Sequence, residues 1–583
     1  MNALPGGDAL PGGDAPSDGD ALPSRFDPTG RARVTSTRFE ARRLNPPNRL
    51  WGSNGIAFGP DGRLYAAQFL AGRISAVDPA TGDVEVVVEM DGPVQSPDDL
   101  AFGADGSMYI ADLVPGRVWR RRPDGTYTLV RDDLVNPNGI TCIGDRLFVN
   151  EMKPDGRLME LFPDGREPVV LTDGLALGNA MQRGPDGHLY YPHMVTGQVW
   201  RIPPDGGTPE VVAEDVHEPV AVRFDRGGVL HVLSRGAAGI VTRVDLHGTG
   251  ARTLVTSGLV GLDNAAFDEE NRMFVSSYAS GGITELHPDG RTRAIVPRGL
   301  DGPYGVTIDL GGTVYAADHY RLAAPTSGNN GRSTPNGQGE PGDGDGGITT
   351  HALLTFAHGI ASDGRLLHLT SQFGEVRTYD PGRGDSRRRA SGLDQPLGIA
   401  VAPDGTLVVA ETGAGRVLSV DARDTVTVLA EGLDHPVDVA LDDEGRCYVS
   451  DDRQGTVSRI DDGAAVVVAE GLGAPEGLAV LDGELFVVDT ARRRLLAVSP
   501  TTGELRVEAE ELPVGPPPGA RPPVRPALFA GGLPGSARRF AGLAATPDGG
   551  LLLSADGEGT VLRLSPTPGG PSRDAPPGPP GGP

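Results

Sequence analysis

The stretch GIAFGPDGRLYAAQFLAGRISAVDPATGDVEVVV, residues 55–88, decides the fold. Its β-rich blocks fall at 55–58, 64–67, 73–77 and 84–88, with Pro60-Asp61-Gly62 and Gly72 among the turn residues between them. Short runs of this kind, punctuated by Gly, Pro and Asp, predict four antiparallel strands joined by tight turns. The phrase inside the stretch is Gly-(Ile/Leu)-Ala-(Phe/Val), Asp-Gly, Leu-Tyr-Val-Ala-(Asp/Glu) and Gly-Arg-Val, and it recurs about every 40 residues. Copies begin at Gly55, Asp99, Gly139, Ala180, Ala221, Asn264, Gly305, Gly359, Gly398, Asp438, Gly477 and Gly542.

One small sheet cannot bury both faces until neighbours stack on it around an axis, so a four-stranded repeat of this length predicts β-propeller blades. The expected fold is all-β: two tandem six-bladed β-propellers built from twelve four-stranded blades. The ends suggest how the rings close. A spare strand at 33–40 precedes the first blade, and the last unit stops after 561–564. Closure by exchange follows, with 33–40 pairing beside 283–286 and 291–296 beside 561–564, which removes open sheet edges. The boundary then falls near Pro288, giving propellers at 33–287 and 288–566. Residues 1–32 and 567–583 read as disordered Pro/Gly-rich tails, and 322–347 and 513–535 as mobile inserts.

Composition sets the outer limits. The 583 residues include 86 Gly and 52 Pro, which excludes a helical bundle. The formal charge of -26 opposes phosphate backbones and anionic membranes, so a small-molecule substrate is expected, with no nucleic acid and no membrane as partner. Cys142 and Cys447 lie too far apart in sequence to suggest a disulfide framework. No apolar stretch approaches the ~18 residues of a membrane span, and the N-terminal stretch lacks the basic start and apolar core of a secretory signal. A soluble, cytoplasmic protein is expected.

Residues at the start of each inner strand and the end of each second strand project toward the channel mouth. The first set in the first propeller is Asn54, Asp98, Asn138, Asn179, Val220 and Asp263; in the second it is Tyr304, His358, Leu397, Val437, Glu476 and Ala541. Convergent carboxylate and amide oxygens without Cys or His suit Ca²⁺, Mg²⁺ or another hard divalent cation. The competing reading is that Asn and Asp merely end strands as side-chain turns. The second-strand ends of the first ring include Asp112, Glu151 and His193, candidates for general base or acid. Acidic residues recur there in the second ring, so Asp112 and Glu151 also fit a structural rule of the repeat, and His193 departs from it. An alternative second-ring site is the pair His358 and Glu476, three blades apart.

Ser53-Asn54-Gly55-Ile56-Ala57-Phe58 and Asn136-Pro137-Asn138-Gly139-Ile140, each followed by a turn, resemble the regucalcin/gluconolactonase/luciferin-regenerating superfamily. The second half, as in Gln395-Pro396-Leu397-Gly398-Ile399-Ala400, resembles NHL repeats. The resemblance implies a divalent cation, usually calcium, in the channel, and lactone or ester hydrolysis. It also implies a ligand set of one Glu, two Asn and an Asp. Asn138 and Asn179 match the Asn positions; Asn54 stands in place of the Glu, and Val220 in place of the Asp, with Glu218 nearby. Asp98 and Asp263 are then the residues that could restore the charge. The expected activity is a cation-dependent lactone or ester hydrolase. A lyase, isomerase or cyclase on the same fold, and a non-catalytic NHL-type scaffold, stay open.

Overall fold

The structure is a computed structural model and describes residues 22–246, 250–325, 347–517 and 538–567. Among the described residues, regular structure consists of twelve antiparallel sheets and a single turn of 3-10 helix at Phe69–Ala71. No helix is long and apolar enough to cross a membrane.

In the first blade, Ile56–Phe58, Leu64–Gln68, Arg73–Val77 and Val84–Val88 pair in chain order. The second strand is buried at every position, whereas the fourth is partly open to solvent. A strand sandwiched on both faces needs a continuous apolar run, which is why Leu-Tyr-Ala-Ala occupies it. Cores form between blades: Leu50, Ile56 and Leu64 of the first pack with Phe274 and Ile283 of the sixth. That contact closes the first ring, reinforced by Ser276 Oγ donating to the Asn54 carbonyl (2.6 Å) and Ser53 Oγ to the Gly282 carbonyl (2.7 Å). The second ring closes where the Gly542 N–H donates to the Tyr304 carbonyl at 2.9 Å. The fold is therefore two six-bladed propellers in tandem.

Strand pairing at the ring ends differs from the expected exchange. Thr292–Val296 folds back on Ile283–Leu286 and completes the sixth blade with its own chain. A tight His287–Arg291 turn, with Gly290 at φ 88°, makes this pairing local, so it closes a far shorter loop than any partner in the other ring. The spare N-terminal strand goes instead to the twelfth blade: Phe39–Arg43 pairs antiparallel with Thr560–Pro566, in the register Ala41 opposite Leu564. Thr35–Ser36 adds to the edge of the eleventh blade, beside Leu505–Glu510. The chain thus begins on the second ring, crosses to build the first, and returns.

Two further expectations change. The supposed insert at 322–347 begins within a strand, because Arg321–Pro325 and Ile348–Leu353 are the third and fourth strands of the seventh blade. Residues 22–32 are not a loose tail. Arg25 and Phe26 are buried, and Arg25 donates to the carbonyls of Leu50 (2.8 Å), Leu300 (3.3 Å), Asp556 (2.7 Å) and Gly557 (3.2 Å). One guanidinium ties the start of the first ring, the connection between rings and the last blade; burial lowers its pKa to about 9. The expected tails at 1–21 and 568–583, and the inserts at 326–346 and 518–535, lie outside the described residues.

The crossing strand predicts where damage will appear. Phe39 is buried edge-on against Phe486, with ring centroids 6.0 Å apart, in a core shared with Leu512 and Leu562. Replacing a buried Phe by Ala costs about 3–5 kcal/mol. Phe39→Ala should lower the urea midpoint and, in limited proteolysis, open sites in residues 300–566 before those in the first ring. Equal sensitivity of both rings would contradict the pairing.

Candidate functional site

The close approach of neighbouring blades fixes the first ring's mouth. The Gly55 N–H donates to the Asp98 carbonyl at 2.6 Å, and a side chain at Gly139 would collide with the Asn179 carbonyl. Backbone touches backbone at these points, so the residue just before each inner strand sends its side chain into the channel. Asn54, Asp98, Asn138, Asn179, Val220 and Asp263 all line one cavity of about 140 Å³. The structure brings this whole predicted set together.

The cavity concentrates negative charge. Asp98 accepts from Asn54 Nδ2 at 3.4 Å; burial, then repulsion from Asp99, raises its pKa to about 7. Burial, then repulsion from Asp98 and Asp99, holds Asp263 well above the usual carboxylate range. The buried Arg223 lies 4.0 Å from Asp99, but it also donates to the carbonyls of Ala265, Met181 and Val222. Asp99 itself is a structural brace: it accepts from the Leu100 and Ile140 amides and from Asn264 Nδ2. Its second-ring equivalent, Asp438, makes the same bridge to the Val439 and Leu478 amides. Asp98 and Asp263 have no such counterparts, since His358 and Ala541 occupy those places.

Among the described residues, no three His, Cys, Asp or Glu side chains converge as a metal-binding group. A cation here would depend on amide oxygens beside the two carboxylates, and the residues fit that requirement. Asn138 Oδ1 is buried without a hydrogen-bond partner, while its amide nitrogen rests on Met152 Sδ at 3.3 Å. Asn179 Oδ1 already accepts from the Ala180 amide at 2.6 Å, which leaves it a weaker donor to a cation. An all-oxygen set with two carboxylates is the chemistry of Ca²⁺ or Mg²⁺.

The proposed acid-base residues are not brought to this cavity. Asp112 Oδ1 accepts the Gln95 and Ser96 amides and Oδ2 accepts Trp119 Nε1. Glu151 accepts the Val135 amide and a two-point contact from Arg157. Burial alone would raise its pKa, but these partners outweigh it and hold the carboxylate below its ordinary range. The same clamp recurs where Asp318, Asp451 and Asp489 accept amides from the loop entering their own blades. Acid at this position fastens the loop. His193 is buried, stacked on Trp200 at 5.3 Å, and burial lowers its pKa to about 4.

In the second ring His358 stacks flat on Tyr304 at 4.8 Å, and its Nε2 lies 3.1 Å from the Arg538 carbonyl. Glu476 accepts the Ala541 amide at 2.8 Å, and burial raises its pKa to about 7. Among the described residues, no hydrogen bond or ion pair joins the two. Tyr304, Leu397, Val437 and Phe540 pack together in that mouth.

Other lining residues carried no signal in the repeat alignment. Arg235 follows the second-strand end at Ser234; its Nε has no hydrogen-bond partner, and Glu218 is 3.7 Å away. Tyr278 lines the wall and donates to the Arg235 carbonyl at 3.0 Å. Tyr320, Leu354 and Phe356 reach the cavity from the second ring.

Comparison with known proteins adds partial likenesses. A family described as outer membrane protein assembly factor BamB matches residues 320–513, about a third of the chain. No curated protein matches the sequence. Among solved structures, a streptogramin B lyase is similar at 18% identity and TM-score 0.36, covering 48% of this chain and 95% of that one. A gluconolactonase from Xanthomonas campestris has 18% identity and TM-score 0.34, covering 45% and 95%. A calcium-binding protein, regucalcin, from Agrobacterium tumefaciens has 20% identity and TM-score 0.34, covering 42% and 86%.

The buried acids predict a pH response. Folded pKa values near 7 for Asp98, about 6 for Asp99 and about 8 for Asp438 lie above the unfolded 3.8. Their contribution to stability is complete below pH 3.8 and is lost as pH rises through these folded values. In chelator, the thermal midpoint should therefore fall between about pH 5 and pH 8. Asp98→Asn should flatten the fall, and saturating calcium should reverse part of it. A midpoint that rises over this range in chelator would contradict the assignment.

Proposed function

We propose that the first propeller binds a hard divalent cation, calcium first among them, and hydrolyses a lactone or ester at the same mouth. The observation that carries this reading is the placement of Asp98 and Asp263 in one cavity with the Asn138 oxygen, which has no hydrogen-bond partner among the described residues. Two mutually repelling carboxylates are a costly thing to bury, and a cation between them would offset that cost.

Asp98, Asp263 and Asn138 would hold the cation, with Asn54 and Asn179 supplementing them. When bound, it would supply Lewis-acid polarisation of the substrate carbonyl. Arg235 is the cationic side chain on the cavity wall; an N–H from it can hold the carbonyl oxygen and stabilise the charge that develops there. Among the described residues the carboxylates on the lining are Asp98 and Asp263, so the proton lost by an attacking water passes to one of them. Val220, Met152, Met194 and Leu177 keep bulk water away from the reacting atoms. The second ring, its mouth filled by Tyr304, Leu397, Val437 and Phe540, acts as scaffold.

The test is a lactone and ester panel with and without chelator, beside calorimetric calcium titration. Wild-type protein should bind calcium saturably and lose turnover in chelator. Asp263→Ala should abolish binding, and Asn138→Ala should weaken it. Arg235→Ala should lower kcat by about 10²-fold, the usual effect of removing one oxyanion donor, whereas Glu151→Gln and His193→Ala should change kcat little in folded protein. Calcium binding unchanged by Asp263→Ala would end the cation reading; turnover indifferent to chelator would end the cation-dependent hydrolase.

A further inference from the structure

Most of the cavity belongs to the first propeller, but one wall does not. Tyr320 of the seventh blade, the first of the second ring, and Leu354 and Phe356 just after its last strand line the same cavity as Phe69, Met152 and Met194. We propose that these three side chains are the specificity wall of the first ring's site, and that it selects a small, weakly polar monocyclic or short-acyl carbonyl compound over a polyhydroxylated sugar lactone. The carbonyl part of this statement rests on the proposed hydrolase; the size and polarity part rests on the cavity.

The wall is built where the repeat is broken. Most second strands lead into a turn containing Gly, as in Asp112 to Gly116 and Glu411 to Gly415; the turn after Asp489, through Thr490 to Arg493, is one without it. Here Asp318-His319-Tyr320-Arg321 makes the turn with no glycine, Asp318 pairing directly opposite Arg321. His319, Leu354 and Phe356 hold positive φ of 34°, 55° and 47°, a region that non-glycine residues occupy at a cost. Strain of this kind persists only where surrounding contacts overdetermine it. Those contacts are present: the fully buried Arg321 pairs with Asp318 at 2.8 Å, and the Leu354 amide donates to the Tyr320 carbonyl at 2.5 Å. Aromatic edges complete the lattice, with Tyr320 against Tyr278 (5.2 Å) and His319 (4.4 Å), and Phe356 against Tyr320 (5.9 Å) and Phe373 (5.8 Å). The result is a rigid, largely aromatic and aliphatic surface with one phenol hydroxyl, delivered from one propeller into the mouth of the other.

Volume and polarity then limit the ligand. The cavity is partly open, and its volume of about 140 Å³ is close to the engineered apolar cavity of about 150 Å³ that accepts benzene, so about six to eight heavy atoms of a ligand are seated in it. Ligand pockets for larger molecules start near 300 Å³. The lining is mixed: Asp98, Asp263, Asn54, Asn138, Arg235 and the Tyr278 and Tyr320 hydroxyls are polar, whereas Phe69, Leu354 and Phe356 offer no hydrogen bond. A sugar lactone, with a hydroxyl on nearly every ring carbon, would place some of them against those faces without partners, and a buried unpaired hydroxyl is strongly disfavoured. A γ- or δ-lactone ring, or a short acyl ester, matches both kinds of lining.

Binding can be read without turnover. Full-length protein with calcium is titrated calorimetrically with γ-butyrolactone, its four- to eight-carbon alkyl derivatives, the non-hydrolysable cyclopentanone and glucono-δ-lactone. Wild type should bind cyclopentanone and γ-butyrolactone and reject glucono-δ-lactone. Phe356→Ala and Leu354→Ala should shift preference toward the longer alkyl chains by about tenfold or more, the usual worth of a methylene in a fitted pocket. Phe356→Leu, with circular dichroism, guards against a folding defect and should give a smaller shift of the same sign. Cyclopentanone binding without hydrolysis of any lactone would defeat the hydrolase reading and leave the wall standing. Failure of wild type to bind any small ring compound, binding of glucono-δ-lactone as tight as that of γ-butyrolactone, or a size preference unchanged in folded Phe356→Ala and Leu354→Ala would overturn the wall.

Discussion

At the channel of each propeller, neighbouring blades approach until main chain meets main chain, and the site depends on that contact. The Gly305 N–H reaches the His358 carbonyl at 2.7 Å, Gly477 reaches Ala541 at 3.1 Å and Gly542 reaches Tyr304 at 2.9 Å. In each case the acceptor is the residue that precedes the next blade's inner strand. In other blades a second-strand side chain bridges the gap instead: Asn150, Thr370 and Ser450 accept the amides of Gly139, Gly359 and Asp438 and donate to the carbonyls of Asn179, Leu397 and Glu476. A residue whose carbonyl is held by the neighbouring blade, directly or through such a bridge, presents its side chain to the axis. Six such residues therefore converge in each ring, and their chemistry is free to vary because the grip uses main chain.

Closure of the rings obeys a different economy. The sixth blade finds its fourth strand a few residues away, across the His287–Arg291 turn. The twelfth blade has three strands of its own and takes its fourth from residues more than 500 positions away in sequence. That long-range pairing carries an entropic cost which local strands avoid. It is held by Phe39 in the core, by the two-point contact of Arg43 with Glu558, and by Arg25 across four carbonyls. The crossing also fixes the rings relative to each other, since Asn48 donates from its side chain to Asp301 Oδ1 and from its main-chain N–H to the Glu558 carbonyl. A wall supplied by one ring to the other needs such a fixed relation.

The repeat made the blades legible, and the residue before each inner strand could be named because the repeat keeps its phase there. Asn54, Asp98, Asn138, Asn179, Val220 and Asp263 share a cavity for that reason. Strand exchange was misread because the sequence shows a spare strand without showing which edge it meets; the short turn around Gly290 decided it. Asp112 and Glu151 could be read either as catalytic acids or as repeat rule, and the amides of Ser96 and Val135 show the second role. Arg235 and Tyr278 gave no periodic signal, because each sits one residue past a second-strand end. Tyr320 did leave a trace, in the contraction of the turn after Asp318, but its meaning lies in the meeting of two rings and no single repeat contains it.

The contrast between the mouths bears on why the first one is charged. Both rings share blade grammar, the inter-blade brace at Asp99 and Asp438, and the loop clamp at the second-strand ends. The second ring fills its mouth with Tyr304, Leu397, Val437 and Phe540 and is complete. The fold therefore places no demand on Asp98 and Asp263, whose burial and mutual repulsion oppose stability when they are ionised. A local rule broken without a structural gain marks a site where something other than folding is being served. The apolar side chains of Leu354 and Phe356 on the lining sharpen this, because lowering the surrounding dielectric strengthens both the repulsion between the carboxylates and their attraction for any positive centre brought between them. Through these side chains the second ring contributes to the electrostatic surroundings of the first ring's mouth.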